Sequence, residues 1–236
     1  MNTLPPQLPR PDGPGPVAPQ VVTALRDRIV QGALVPGTRL SEQEIATQYD
    51  ISRQPVREAF IRLAVEGLVE VRPQRGTFVS RINLGFVRDT RFIREAVEAD
   101  IVRIAARQAT ADQIADLARQ LQAQADLPDG LGLELMRLDE NFHATLARAA
   151  GKLHVWDKLQ GLKIHLDRVR HLTTATVPKS VMLDQHRDVL DAIASGDPDA
   201  AETAMRRHLR KVLDDLPGIV AVASQYFDLD SDPQNP

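Results

Sequence analysis

The sequence contains no cysteine, so disulfides and thiolate metal sites are excluded. Any chemistry must therefore come from carboxylates, imidazoles, guanidinium groups and hydroxyls. Long apolar runs are also lacking: no stretch approaches the roughly 18 residues of a membrane span, and the proline-rich start holds no signal-peptide core. We therefore expect a soluble cytoplasmic protein without a membrane partner.

A strong excess of basic charge is absent as well. The net charge is -3, from 29 Lys and Arg against 32 Asp and Glu. Residues 20–81 nevertheless carry 9 basic and 7 acidic groups, a net charge of +2, whereas residues 82–236 carry 19 and 24, a net charge of -5. This weak asymmetry favours nucleic-acid binding at the N-terminal end.

The 236 residues are enough for two modest domains. Residues 1–19 are rich in Pro and Gly and lack periodic apolar positions, which predicts a disordered tail. Residues 20–81 predict three helices followed by a small β-hairpin. Apolar positions at helical spacing then predict an antiparallel bundle of six or seven helices over residues 84–222, with a frayed end over residues 223–236. The fold class is therefore mainly α.

Two short helices separated by a tight turn stand out in the N-terminal domain. Ser41 and Glu44 match a capping box, which predicts a helix over residues 42–49. Ser52 is suited to cap the next helix, over residues 53–66. Two β-prone runs joined by a turn follow and predict a hairpin wing. A helix-turn-helix of this kind is typical of DNA-binding domains.

The second helix has the pattern of a DNA-reading element. Its first turn carries Arg53, Gln54 and Arg57, and in the major groove Arg can read guanine while Gln can read adenine. Its opposite face is apolar and can dock on the domain core. That face carries Val56, Phe60, Leu63 and Ala64. The wing residues Arg75 and Thr77 suit phosphate or sugar contacts. The alternative interpretation is a solvated, charged helix face.

Several spaced segments of this region resemble the winged helix-turn-helix of GntR-family regulators. They are Leu34-Val35-Pro36-Gly37-Thr38-Arg39-Leu40, Glu44-Ile45-Ala46, Ile51-Ser52-Arg53-Gln54-Pro55-Val56-Arg57-Glu58-Ala59 and Arg75-Gly76-Thr77. The resemblance implies a homodimer bound to a short palindromic operator in double-stranded DNA. It also implies DNA contacts from the start of the recognition helix and from the wing. In this chain those contacts fall on Ser52, Arg53, Gln54, Arg57, Arg75 and Gly76.

Histidines and an aspartate interrupt the apolar faces of three predicted bundle helices. Asp139 and His143 share a face with Phe142, and His186 and His208 also lie among apolar positions. A buried carboxylate is costly unless it is paired or binds a cation. One carboxylate with three neutral imidazoles suits Zn or another divalent transition ion. The alternative is that these side chains satisfy one another by hydrogen bonds.

The bundle also resembles the FCD effector-binding domain of FadR-type GntR regulators. The matching segments are Phe92-Ile93-Arg94-Glu95-Ala96-Val97-Glu98, Asp139-x3-His143, Asp184-Gln185-His186-Arg187-x-Val189-Leu190-x-Ala192-Ile193, Gly196-Asp197 and Met205-x2-His208-Leu209. In metal-containing members of this group, four of these positions bind the ion. The resemblance therefore implies metal ligands at Asp139, His143, His186 and His208.

Two further side chains are candidates for effector binding. Arg94 on the first bundle helix can bind an anionic effector bidentately, or it can pair with Glu98 one turn later. His165 falls on an apolar helical phase, where both core packing and an effector contact stay open.

Together these patterns predict a ligand-responsive regulator rather than an enzyme, with repression as the family's usual mode. A small carboxylate, held through a divalent ion, would bind the bundle and change the affinity for DNA. We expect Zn, with Ni or Mn as alternatives. Two other interpretations stay open: a sensor in which the ion itself is the signal, and a metalloenzyme in which the ion activates water. The enzyme interpretation lacks a separate general base and a Gly-rich phosphate loop.

Overall fold

A computed structural model describes residues 15–173 and 178–229 of the chain. These residues form two compact units. The first contains the described residues up to Leu84 together with those from Ala223 on, and the second spans Gly85–Val222. Both units are mainly helical, as the sequence predicted.

The first unit is a winged helix-turn-helix. Its elements are α1 (Val17–Val30), β1 (Arg39–Leu40), α2 (Glu42–Tyr49), α3 (Arg53–Val65), β2 (Val69–Arg72), β3 (Gly76–Val79) and β4 (Ile82–Asn83). Helix α3 packs against both α1 and α2. Strands β2 and β3 form the antiparallel hairpin, and β1 adds to it in the order β1-β3-β2. The three predicted helices and the hairpin are confirmed, while β1 is too short to be predicted from its own sequence.

Local signals position the two helices of the motif. The Ser41 hydroxyl accepts a hydrogen bond of 3.3 Å from the Glu44 backbone N–H, so the Ser41 half of the expected capping box is present. Asp50 ends α2 in the left-handed conformation with φ of 54°, which Asp tolerates better than most residues. Ser52 then occupies the N-cap of α3. On the inner face of α3, Val56 and Leu63 are completely buried.

The ends of the first unit are more ordered than the sequence suggested. Helix α1 begins at Val17, because Pro16 at the N-cap and Pro19 in the first turn are both compatible with a helix start. The expectation of a tail through residue 19 is therefore wrong for its last three residues, and residues 1–14 of that tail lie outside the described residues. Proline within the first turn loses no intrahelical bond, so composition alone did not mark this boundary.

The C-terminal end also departs from expectation. Residues Ser224–Tyr226 form a 3-10 turn, and Phe227–Asp228 form a strand, β5, that pairs in parallel with β4. Phe227 is fully buried. The expected frayed end is therefore wrong for residues 224–228, since a buried aromatic and a strand partner hold them in place. Residues 230–236 of the predicted tail lie outside the described residues.

The second unit is a bundle of seven described helices. They are α4 (Leu84–Gln108), α5 (Ala111–Asp126), α6 (Gly132–Ala149), α7 (Leu153–Gln160), α8 (Ile164–Thr173), α9 (Lys179–Ala194) and α10 (Pro198–Ala223). There are seven helices rather than six because α7 ends at its C-cap, Gly161, and α8 begins separately at Ile164. Helix α5 packs against α6 and α9, and α6 also packs against α7 and α8.

Helix caps set the boundaries of the bundle elements. Thr110 and Gln113 form a complete capping box at the start of α5. Asp197 accepts hydrogen bonds of 3.0 Å from two backbone N–H groups in the first turn of α10, which begins at Pro198. Both caps confirm predictions. In the part of the chain that the structure describes, none of the helices combines the length and apolar character needed to cross a membrane.

Candidate DNA-binding surface and candidate metal centre

The first turn of α3 presents its long polar side chains to solvent. Arg53, Gln54 and Arg57 are all exposed. Arg53 Nη2 lies 3.0 Å from Glu42 Oε2 of α2, and Gln54 Nε2 donates to Glu58 Oε1 at 3.1 Å. Exposed pairs of this kind are weak, so DNA can displace them. Among the described residues, Arg57 has no hydrogen bond or ion pair from its side chain.

The wing ends in a tight turn that exposes Arg75. Pro73 occupies the second position of this turn, Gln74 has φ of 59°, and the Arg75 backbone N–H donates to the Arg72 carbonyl oxygen at 3.0 Å. Arg75 is exposed at the tip. Thr77 differs, because only 9% of it is exposed. This burial argues against the expected contact between the Thr77 side chain and DNA.

Arg39 on β1 is an exposed residue that the sequence interpretation missed. Because β1 pairs with β3, Arg39 stands beside the wing, opposite Phe78. Gly76 has φ of 109°, and a Cβ atom added there would lie 3.2 Å from Arg39 Nε. Glycine at this position therefore leaves room for the guanidinium group along the wing. No ion pair from Arg39, Arg57 or Arg75 is found within residues 15–173 and 178–229.

Four side chains from three helices meet in the core of the bundle. Asp139 and His143 lie one turn apart on α6, His186 lies on α9, and His208 lies on α10. One ligand-type atom from each lies within 4.8 Å of those from the others. His186 Nε2 is 3.3 Å from Asp139 Oδ1, and His143 Nε2 is 3.3 Å from His208 Nε2. The fold thus brings together all four residues that the sequence singled out.

Glu98 on α4 determines which ring nitrogen of His143 carries the proton. Its Oε2 atom lies 2.5 Å from His143 Nδ1, and its Oε1 atom accepts a hydrogen bond of 2.6 Å from Arg94 Nε. Burial raises the pKa of Glu98, but the positive charge of Arg94 and the hydrogen bonds from His143 and Arg94 outweigh burial and lower this pKa to about 2. The ionised carboxylate can only accept, so Nδ1 of His143 carries the proton and Nε2 faces the cluster with its lone pair.

Two amides hold the other histidines in the same way. His186 Nδ1 lies 2.9 Å from Gln124 Oε1, and His208 Nδ1 lies 3.1 Å from Gln185 Oε1. A ring nitrogen that donates outward leaves the opposite nitrogen free to bind a metal ion. Within the described part of the chain, Asp139 Oδ1 and His186 Nε2 are buried without a hydrogen-bond partner. Three imidazole lone pairs and a carboxylate oxygen therefore converge, which is the donor set of a divalent transition ion.

The electrostatics of the cluster keep His186 and His208 neutral. Burial is the largest cause that lowers the pKa of His186, and the nearby Asp139 carboxylate offsets it only in part. Burial, together with the neighbouring His186 and His143, lowers the pKa of His208 well below its ordinary value. Neutral imidazole is the form that ligates a metal ion.

Arg170 on α8 is a second residue that the sequence interpretation missed. It donates to Asp139 Oδ2, and its Nη1 donates to Glu140 Oε1 at 2.7 Å. Burial raises the pKa of Asp139, but the surrounding groups, above all the positive charge of Arg170, outweigh burial and hold this pKa well below its ordinary value. Asp139 is thus an anion with one oxygen on Arg170 and the other turned to the cluster. The sequence did hold one signal for Arg170: it lies four residues after Leu166, so it shares the inward face of α8 with this buried residue.

The two candidate effector-binding residues differ in position. Arg94 is buried and lines a cavity of about 120 Å³, whose wall also includes His208 of the cluster. His165 is buried as well, with its ring centroid 5.6 Å from that of Phe86. Among the described residues, His165 is not part of the cavity wall. This position favours the core-packing interpretation of His165 over an effector contact.

Comparison with known proteins agrees with both units. Residues 18–79 match the bacterial regulatory proteins of the gntR family, and residues 89–211 match the FCD domain. The HTH-type transcriptional repressor RspR of Escherichia coli (strain K12) is 39% identical over 214 residues, which cover 90% of this chain and 94% of that protein. An HTH-type transcriptional regulator of Streptomyces ambofaciens is 42% identical over 212 residues, or 88% of each chain.

Solved structures show the same architecture. A crystal structure of a GntR transcriptional regulator from Rhodococcus sp. RHA1 has a TM-score of 0.67 and 26% identity, covering 85% of this chain and 97% of that chain. The matched families and relatives are transcriptional regulators rather than enzymes. This chain is therefore a member of the GntR family of bacterial transcriptional regulators, with an N-terminal DNA-binding helix-turn-helix and a C-terminal FCD domain.

Proposed function

We propose that this regulator is a repressor whose affinity for its operator is set by a small organic acid bound at a divalent metal centre in the bundle. The observation that carries this proposal is the orientation of the cluster. Three histidines turn Nε2 inward while Nδ1 of each contacts an outer oxygen, and Asp139 adds a carboxylate oxygen. Such a set without a cation would hold repelling lone pairs 3.3 Å apart, between His143 and His208.

The donor chemistry suits Zn best, with Ni or Mn as alternatives. Asp139, His143, His186 and His208 would hold the ion, and Glu98, Gln124 and Gln185 would orient the imidazoles. When bound, the ion supplies open coordination positions that accept a carboxylate oxygen. Arg94, which lines the adjoining cavity, then offers a charged donor to the same ligand.

The proposed DNA contacts come from two places in the first unit. Ser52, Arg53, Gln54 and Arg57 would enter the major groove with the start of α3. Arg75 and Gly76 would reach the backbone from the wing, and the exposed position of Arg39 beside Gly76 adds a further phosphate contact. Since GntR regulators typically dimerise, we propose a homodimer on a palindromic operator in the cytoplasm.

Metal content and operator binding test the proposal together. Elemental analysis of the purified chain should find about one divalent ion per chain, and His208→Gln should remove it. His154→Gln is the matched control, because the His154 side chain is fully exposed and does not belong to the cluster. Absence of a metal from the unmodified protein, after growth with Zn, Ni or Mn, would contradict the proposal.

Chelation separates two roles of the ion. If an organic acid is the signal, chelator treatment alone leaves an operator shift in place, or unfolds the bundle, and removes the response to the acid. If the metal itself is the signal, chelation alone releases DNA from a folded protein. Electrophoretic shift with a selected operator, followed by circular dichroism of the same samples, distinguishes these outcomes.

A further inference from the structure

The cavity beside the cluster has a chemistry of its own. Asp139 and His208 form one part of its wall, and residues of α4, α8, α9 and α10 form the rest. We propose that this cavity selects a small monocarboxylate with a short aliphatic body over dicarboxylates and polyhydroxylated acids. The inference rests on the proposed function and adds the chemical class of the effector.

Two buried donors mark the place of the carboxylate. Within the described residues, Arg94 Nη2 and Arg91 Nε are buried and have no hydrogen-bond partner. Both residues line the cavity, and their spacing of three puts them on one face of α4. Their remaining contacts are ion pairs to Glu98 and Glu95 respectively. Unpartnered guanidinium N–H groups suit the two oxygens of one carboxylate, so the anionic group lies against α4.

Between its charged ends, most of the cavity wall is apolar, and it consists of Leu166, Val181, Met182, Leu209 and Val212. Two neutral polar side chains also line it, and both are engaged: the Thr173 hydroxyl donates to the Arg170 carbonyl oxygen, and Gln185 Oε1 lies 3.1 Å from His208 Nδ1. None of the five apolar side chains carries a hydrogen-bonding group. A ligand hydroxyl placed against them would lose its hydrogen bonds to water without replacement, whereas a methylene group would gain from burial. The body of the ligand is therefore aliphatic.

The far end of the cavity does not accept a second charge. Along α10, Asp215 lies seven residues beyond His208, which is about 10 Å of helix. There Lys211 forms an ion pair with Asp215 on the same helix, so the positive charge of this lysine is already matched. A second carboxylate at this end would meet the negative charge of Asp215 and no unmatched cation. The cavity is therefore suited to one anionic group, at the end nearest the cluster.

Three four-carbon acids test this selectivity at matched length. Butyrate, succinate and threonate differ in a second carboxylate or in added hydroxyls. We expect calorimetric titration of the metal-loaded full chain to give butyrate an affinity about tenfold or more above the other two. Tighter binding of succinate or threonate would overturn the inference.

A single substitution probes the aliphatic wall. Val212→Thr adds a hydroxyl at nearly constant volume, and we expect it to reduce the preference for butyrate over threonate by about threefold or more. Val222→Thr is the control on the same helix, because Val222 is exposed and outside the cavity wall. An unchanged preference in Val212→Thr would contradict the placement of the ligand body against α10.

The same titrations separate the two proposals. If the metal-loaded protein binds succinate or threonate best and then releases its operator, the proposed function holds and the inference on ligand class fails. If none of the three acids binds a chain that elemental analysis shows to be metal-loaded, the inference on ligand class fails, and the chelation experiment then decides the proposed function. Operator release by butyrate at the concentrations that saturate the calorimetric signal supports both.

Discussion

Glu98 Oε2 and His143 Nδ1, from α4 and α6, are 2.5 Å apart in the buried core of the bundle. The same carboxylate binds Arg94, which lines the cavity. One carboxylate therefore joins a cavity residue to a residue of the cluster. A ligand that contacts Arg94 acts on an ion pair that also orients a proposed metal ligand.

Replacement of this carboxylate should weaken the metal centre. We expect Glu98→Gln to lower the affinity for Zn by about tenfold or more, since a neutral amide orients His143 less strongly and reduces its basicity. Competition with a chromophoric chelator measures the change. Glu134→Gln, at an exposed ion pair on α6, is the control and should keep the original affinity. Equal affinities in the two variants would remove Glu98 from the centre.

Operator binding should depend on Arg57. We expect Arg57→Ala to abolish specific binding while it changes the free energy of unfolding by less than about 0.5 kcal/mol, because the side chain is exposed and forms no hydrogen bond or ion pair within the described residues. Arg62→Ala removes an exposed arginine from another face of the same helix and serves as control. A salt titration of operator affinity compares them. Equal affinity for Arg57→Ala and the parent chain would exclude Arg57 from the interface.

Arg39 should make a phosphate contact rather than read a base. We expect Arg39→Ala to weaken binding to specific and random duplexes alike, and to reduce the slope of log affinity against log salt by about 1.

Glycine substitutions test the packing of Arg39 against the wing. Gly76→Ala should weaken binding as Arg39→Ala does, because its new Cβ would lie 3.2 Å from Arg39 Nε. Gly37→Ala imposes a similar backbone strain at φ of 82° but has no neighbour within 4 Å of its added Cβ, so it controls for strain alone. If Gly76→Ala and Gly37→Ala bind DNA with equal affinity, the close approach of Arg39 to Gly76 plays no role in DNA binding.

The stability of the bundle should fall in acid through Glu95. Hydrogen bonds from Arg210, the largest cause, lower the pKa of Glu95 to about 2 against the opposing effect of burial, with help from Arg206 and Arg91. Because the folded pKa lies below the ordinary value of 4.5, this contribution is complete above about pH 4.5 and is lost as pH falls toward 2.

Substitution of Glu95 provides the measurement. Glu95→Gln should cost about 1–2 kcal/mol at pH 7, a moderate value because the partner arginines are partly exposed to water. The difference from the parent chain should shrink as pH falls from 4.5 toward 2. Urea unfolding across this range tests it, and a difference that stays constant with pH would contradict the ion-pair explanation.

Much of the candidate site was readable from periodicity. Asp139, His143 and His186 fall on apolar helical faces, and all three prove to be buried. Their partners were harder to find, because helical phase shows which way a residue faces but not which helix lies opposite. Gln124 comes from α5 and Arg170 from α8, and only the packing of α5 on α9 and of α8 on α6 brings them to the cluster.

By itself, the sequence determined the elements with strong local signals. The Thr110 and Asp197 caps, the alternation of the wing and the basic first turn of α3 are properties of short segments, and each depends on neighbours within a few residues. Only the tertiary structure decided the pairing of β5 with β4, the approach of Arg39 to Gly76 and the outer contacts of the histidines. These contacts join residues that are far apart in the chain. Burial of apolar faces brings such residues together, and no pattern within a short segment indicates which of them will meet.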